Sequence, residues 1–249
     1  MDILSDEELL RYNRQIILRS FDFEGQETLK QSSVLLIGAG GLGCATSPYL
    51  VSAGIGKLTI VDFDDIELSN LQRQILHTEK DVGRRKVDSA KESLAAINSL
   101  CDIQAIHEKL DDAKLEALIQ EHSLVIDATD NLDTRNQINR LCFKHKTPLV
   151  SGAAIRLEGQ VISFTYGEGE PCYQCLSSLF GDANLSCVEA GILSPVVGVI
   201  GSMQALEAIR VLTKLGEVSS GKLLILDALN LKWREFNLPK QQNCKVCGT

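Results

Sequence analysis

Val34-Leu35-Leu36-Ile37-Gly38-Ala39-Gly40-Gly41-Leu42-Gly43 is the stretch whose reading decides the fold. Four consecutive apolar residues form a run too short for a core helix. The run reads as a strand buried on both faces, the kind a parallel sheet contains. It ends on glycines in G-x-G-x-x-G spacing, and a helix is expected from about Leu42 to Ala53. Strand, tight turn and helix in that order make a nucleotide loop. The glycines Gly38, Gly40, Gly41 and Gly43 permit the turn and let phosphate approach backbone N–H groups at a helix N-terminus. Pro48 inside the helix predicts a local kink or an early first turn. The plain alternative is a tight structural turn, and the glycines do not separate NAD from ATP.

Reading outward, the alternation continues. Ser5-Asp6-Glu7-Glu8 is a capping box, so a first helix is expected to run through Leu9, Leu10, Ile16 and Ile17. Downstream of the loop, strands are expected at 58–62, 103–106 and 124–127, with another starting at 149. Helices are expected at 86–97, 114–120 and 134–145. Strand–helix alternation of this kind makes a doubly wound sheet with right-handed crossovers. After Gly152 the rhythm changes. A strand at 160–166 has no following helix, and 167–190 is polar and cysteine-bearing. A helix at 195–215, nearly apolar on all sides, should lie in the core or in a subunit interface. Two runs, 223–227 and 232–238, read as an antiparallel pair. The expected fold is α/β: a doubly wound Rossmann-like nucleotide-binding half, 1–155, continued into a mixed sheet with antiparallel strands and a structural zinc site, 156–249. With no Pro/Gly/Ser linker and no internal repeat, 1–249 reads as one domain.

Composition excludes several classes. Of 249 residues 44% are hydrophobic, ordinary for a chain with a sizeable core. The net charge of −8, without a basic run bearing aromatics, argues against nucleic acid as a partner. No apolar run looks long enough to cross a bilayer, and the acidic start is not a targeting segment, so a cytoplasmic protein with no membrane partner is expected. The eight cysteines then belong to a reducing compartment. The four histidines, His77, His107, His122 and His145, are scattered, with none at metal spacing from another.

Asp62 ends the second strand, about where a ribose-binding carboxylate belongs. Ser69-Asn70-Leu71-Gln72-Arg73-Gln74 and Gly83-Arg84-Arg85-Lys86 follow it. A dehydrogenase has no need of several cations beside its phosphates. A reaction that expels pyrophosphate does, because charge grows on the bridging oxygen. Arg73 and Lys86 are the candidate clamps, whereas Arg84 and Arg85 read as a solvated face. Asp127-Ala128-Thr129-Asp130-Asn131 ends a buried strand, where ligands of open sheets bind. Asp130 either holds magnesium against the phosphates or caps the following helix.

Cys172-x-x-Cys175 and Cys244-x-x-Cys247 are matched pairs, and two such pairs complete a tetrahedral four-sulfur zinc shell. A closed shell is structural and would pin the C-terminal tail to the body. The alternatives are two unrelated thiol pairs or one redox pair. Cys44, Cys101, Cys142 and Cys187 are left over as free thiols.

Together these motifs resemble the ubiquitin-activating enzyme superfamily in its small bacterial form. The matching stretches are Arg11 to Ile16, Gly38 to Gly43, Asp62 to Gln74, Asp127 to Arg135 and both cysteine pairs, essentially the whole chain. Val150 to Gln160 and Cys187-Val188-Glu189-Ala190-Gly191 are most similar to the branch that adenylates the sulfur carrier of molybdopterin synthase. The branch serving the thiamine-pathway carrier is the near alternative. The resemblance implies that a small ubiquitin-like sulfur-carrier protein offers its C-terminal Gly-Gly carboxylate to the α-phosphate of ATP, giving an acyl adenylate for molybdenum cofactor biosynthesis. It implies that Gly41 contacts phosphate, Asp62 the ribose, and Asn70, Arg73 and Lys86 the phosphates. The nucleotide would also touch Ser69, Leu71, Gln72 and Asn131, and Asp130 matches a Mg2+-associated aspartate. Arg14 matches an arginine that reaches a neighbour's ATP site, which implies a homodimer. Cys187 sits where relatives place a thiol that can link to the carrier, in a stretch expected to be an exposed mobile loop. Its acidic neighbours Asp182 and Glu189 disfavour a thiolate there. No sulfur-transfer domain is expected after Cys247, so a separate sulfur donor is implied. Two other classes stay open, an NAD-dependent oxidoreductase and a non-catalytic zinc-pinned adaptor. The intact Arg14, Arg73, Lys86 and Asp130 speak against the adaptor.

Overall fold

The computed structural model describes residues 3–179, 191–218 and 220–248. One eight-stranded sheet runs through the molecule in the order β3-β2-β1-β4-β5-β6-β7-β8. The strands are β1 Ser33–Ile37, β2 Lys57–Val61, β3 Asp102–Ile106, β4 Leu124–Asp127, β5 Leu149–Ile155, β6 Glu158–Phe164, β7 Lys222–Asp227 and β8 Lys232–Asn237. The first five are parallel. From β5 onward each neighbour is antiparallel, so the sheet is mixed as expected. Helices α1 Asp6–Ile16, α2 Asp22–Gln31, α3 Gly41–Ala53, α4 Lys86–Ile97, α5 Asp112–Gln120, α6 Leu132–His145, α7 Tyr173–Ser177 and α8 Ser194–Thr213 complete the described elements, with 3-10 turns at Leu68–Asn70 and Glu79–Asp81.

Local chemistry explains where the helices begin. Ser5 caps α1 with the reciprocal Glu8 contact of a capping box. Asp111 caps α5 and Asn131 caps α6. The helix stays continuous through Pro48. Immediately before Pro48 in α3, the Thr46 and Ser47 hydroxyls donate one turn back to the carbonyls of Leu42 and Gly43. Helix α2 escaped the sequence reading. Its N-cap, Phe21, offers no side-chain cap, and only Gly25, Gln26 and Leu29 of its ten residues are buried, so it carries neither a start signal nor a clear apolar period. The short α7 was hidden for a similar reason, since it is held by its surroundings and not by a pattern.

Strands β1, β2 and β4 are buried almost throughout, which is why they read as apolar runs. Helix α8 packs on α3 and on strands β5 and β6. It also corrects one expectation. By length and composition alone, Ser194–Thr213 would suffice to cross a membrane. In the fold, Val196, Val197, Ile200, Ala205 and Ala208 are buried in the main core, while Val199 and Leu206 are exposed. The helix is thus neither wholly buried nor wholly free.

Candidate functional site

The order of the parallel strands reverses between β1 and β4. A crevice opens there at the carboxyl ends of the strands, where ligands of open α/β sheets bind. Three chain segments converge on it: the glycine loop after β1, Asp62 after β2, and Ala128 to Asn131 after β4. The glycines are sterically required. Gly38 has a φ of +101°, and a Cβ there would lie 2.6 Å from the Ala128 carbonyl oxygen. A Cβ on Gly43 would lie 2.0 Å from the Gly38 carbonyl oxygen. At Gly40 the nearest atom to such a Cβ is Gln74 Nε2 at 3.9 Å, so the loop is open where phosphate would approach. Gly41 lies under Arg73, with the arginine Cγ 3.3 Å from a Cβ built there.

Asp62 is locked in place. Its carboxylate accepts from the Ala39 N–H (2.7 Å) and the Asp64 N–H (2.8 Å). Burial raises its pKa, against the nearby Lys86 charge and these two N–H donors. Lys86, the first residue of α4, is buried and pairs with Asp64 at 2.7 Å. Arg73 is half-buried and donates to the Ser69 carbonyl at 3.2 Å. Asn70 is buried, and its side-chain oxygen accepts from the Glu67 N–H, shaping the turn that carries Ser69, Leu71 and Gln72. Arg84 pairs with Asp81 and Glu92, and Arg85 is exposed, so neither is drawn into the crevice.

After β4, the helix cap is Asn131, whose side chain accepts from the Thr134 N–H at 2.9 Å. Asp130 is therefore not the cap. It is exposed and takes no hydrogen bond or salt bridge among the described residues. Its loop is held from below by a residue the sequence reading passed over. Arg135 is buried and donates to the carbonyls of Thr129 and Gly152 and to Ser151 Oγ, with Asp127 Oδ2 at 3.5 Å. Ser151 in turn donates to Asp127 at 2.7 Å. An arginine four residues after a capping asparagine looks like ordinary helix surface, so only the tertiary packing exposes its role.

Arg14 stands elsewhere. Its neighbour Gln15 donates to the carbonyl of Ala53, the last residue of α3. That helix rises about 1.5 Å per residue over its 13 residues, so Arg14 sits on the order of 20 Å from its own glycine loop. It is exposed on α1, flanked on the same helical face by the exposed Leu10 and Ile17.

The four paired cysteines meet as expected. Their sulfurs all lie within 4.8 Å of one another, and all four residues are buried. Cys172 and Cys244 are 3.7 Å apart and Cys175 and Cys247 are 3.4 Å apart, against the roughly 3.8 Å edge of a tetrahedron with 2.3 Å zinc–sulfur bonds. Asn139 Nδ2 and the Gln241 N–H point to Cys172 and Cys175, at 3.6 and 3.5 Å, as outer-shell donors do at thiolate sites. The donor set fits zinc. A cavity of about 550 Å3 lies between this knuckle and the start of α6 and is lined by Asn131, Thr134, Gln174 and Lys245. Cys44, Cys101 and Cys142 are buried free thiols. Cys187 and its acidic neighbours lie outside the described residues.

Comparison with known proteins places the chain. Residues 12–246 match the ThiF family. The chain belongs to the ThiF family. It is 58% identical to molybdopterin-synthase adenylyltransferase of Escherichia coli strain K12, with 98% of each chain covered. It is 42% identical to adenylyltransferase and sulfurtransferase MOCS3 of Drosophila persimilis, covering 98% of this chain and 55% of that one. Among solved structures, PaaA superposes with a TM-score of 0.82 at 28% identity, over 97% of this chain and 76% of that one.

Proposed function

We propose that this chain is an enzyme that adenylates the C-terminal Gly-Gly carboxylate of a small ubiquitin-like sulfur carrier, that of molybdopterin synthase, for molybdenum cofactor biosynthesis. The observation that carries the reading is the convergence on one crevice of an open glycine loop, two cations and an unengaged carboxylate. High identity to an adenylyltransferase over the full length supports it. ATP would lie with its ribose on Asp62 and its phosphates over Gly41, between Arg73 and Lys86. The carrier's carboxylate attacks the α-phosphate, a new C–O–P bond forms, and the bond to pyrophosphate breaks. Arg73 and Lys86 hold the charge that grows on the leaving group. Asp130 would be one of the one or two carboxylates that hold magnesium beside substrate phosphates, and the ion would neutralise those phosphates when bound. Asn131 keeps its side chain for α6, so its share in nucleotide contact falls to its backbone.

The active form we propose is a homodimer. Arg14 is too far from its own loop to serve it, yet among the described residues it has no salt-bridge partner and stands between exposed Leu10 and Ile17. An arginine framed by apolar residues is the composition of an interface centre. The exposed Val199 and Leu206 on α8 add a second uncovered apolar stretch. Zinc at Cys172, Cys175, Cys244 and Cys247 would be structural, and sulfur would come from a separate donor in the cytoplasm. Incubation with ATP and the carrier should add the mass of one adenylyl group to the carrier. A carrier of unchanged mass, under conditions where ATP binds, would contradict the reading.

A further inference from the structure

Under the glycine loop lies a buried polar chain that nucleotide contact does not require. Ser89 Oγ is 2.9 Å from His77 Nδ1, His77 Nε2 is 3.6 Å from Cys44 Sγ, and the Cys44 thiol donates to the Ala39 carbonyl at 3.3 Å. All three side chains are buried. One placement of protons satisfies every link. The Ser89 hydroxyl donates to Nδ1, and the ring turns its Nε2–H toward the sulfur and the Ala39 carbonyl. Burial lowers the His77 pKa and pushes the Cys44 thiol up to about 12, which keeps both groups neutral.

The chain joins three segments that the nucleotide would touch. Ala39 belongs to the glycine loop and its N–H holds Asp62. His77 ends the segment that carries Asn70 and Arg73, and its N–H bonds the Gln74 carbonyl at 3.1 Å. Ser89 lies three residues after Lys86 on α4, and Ser93, one turn on, donates to the Leu76 carbonyl at 2.8 Å. Packing does not account for this. An apolar side chain of similar volume would fill the space without desolvating three polar groups.

We propose that His77 is a positioning residue for adenylyl transfer, fixing the glycine loop, Arg73 and Lys86 in one geometry; this rests on the reading of those three as the phosphate site. Misplacement by about 1 Å costs on the order of a hundredfold in rate when aligned groups must meet a transition state. The test compares wild type, His77→Leu, His77→Gln and Ser89→Ala as full chains. The readouts are carrier-dependent ATP–pyrophosphate exchange, affinity for a non-hydrolysable ATP analogue, and melting temperature. His77→Leu is expected to lower kcat about ten- to a hundredfold, with analogue affinity changed far less. His77→Gln, whose amide can still donate toward Ala39, should recover part of the loss, and Ser89→Ala should fall between. If His77→Leu does not fold, Ser89→Ala, which removes one hydroxyl, decides by the same criteria. Folded variants with wild-type kcat overturn the proposal, as does activity lost only in proportion to folded protein. A wild type silent in exchange overturns the adenylation reading and this proposal with it, whereas an active wild type with indifferent variants overturns this proposal alone.

Discussion

Asp130 is where chemistry and fold separate most cleanly. It is exposed and bonded to nothing among the described residues, so Asp130→Ala should leave stability within about 0.5 kcal/mol of wild type. Under the proposed role the same change should abolish adenylate formation, because a carboxylate that holds a metal acts on charge and not on packing. Near-normal exchange in that variant would refute its role. Arg73→Ala and Lys86→Ala should each cost on the order of a hundredfold or more in rate. The two differ in stability. Lys86 is buried on Asp64, so its loss should also lower the melting temperature, while the half-buried Arg73 should be nearly silent there. Two histidines set a pH dependence. His77 and His122 are both held below the ordinary 6.5, chiefly by burial. As pH falls through that value the unfolded chain takes up protons that the native one refuses. The stability linked to the neutral rings is therefore whole above about pH 6.5 and is lost on acidification. Replacing His122 with Gln should flatten that part of the melting-temperature profile, and an unchanged slope would contradict it. At this scale the sequence was readable wherever a residue acts through its own motif, as Gly38, Gly43 and Asp62 do. It was mute on Arg135 and His77, which work by touching segments far away in the chain.

Elements announce themselves when local chemistry and burial agree. Strands β1 and β4 are closed on both faces and so appear as bare apolar runs, and α1 carries its capping box on its surface. Helix α2 and the short α7 lack both signals and emerge only when the body of the fold holds them. The choice between cap and metal ligand for Asp130 was even in the sequence. Asn131 takes the cap, which removes the capping alternative and leaves the metal role as a proposal. The C-terminal segment depends on the cysteine knuckle, which brings residues 72 apart in the chain into contact. Purified protein should carry about one zinc per chain, and a chelator or Cys244→Ser should speed hydrogen exchange in residues 238–248. Metal-free protein with unchanged exchange there would sink the zinc assignment.

For the whole molecule the issue is assembly, which a single chain does not announce. Composition pointed to one domain without a nucleic-acid surface, and the strand order of the sheet bears out the doubly wound half continued by antiparallel strands. The proposed dimer rests on the distance between Arg14 and its own loop and on the uncovered Leu10, Ile17, Val199 and Leu206. Mixing Arg14→Ala with Asp130→Ala should restore activity, because one site of each mixed dimer carries neither lesion. With free exchange about half the dimers are mixed, so recovery should approach roughly a quarter of wild type, as twofold symmetry requires. No recovery despite demonstrated subunit exchange would place Arg14 outside the neighbour's site. The most direct test of the central claim is pyrophosphate exchange into ATP with the carrier of molybdopterin synthase, intact and lacking its final glycine. Exchange that appears with the intact carrier and vanishes with the shortened one is the predicted result. Exchange that ignores the carrier's terminus, or none at all with ATP bound, would contradict the account.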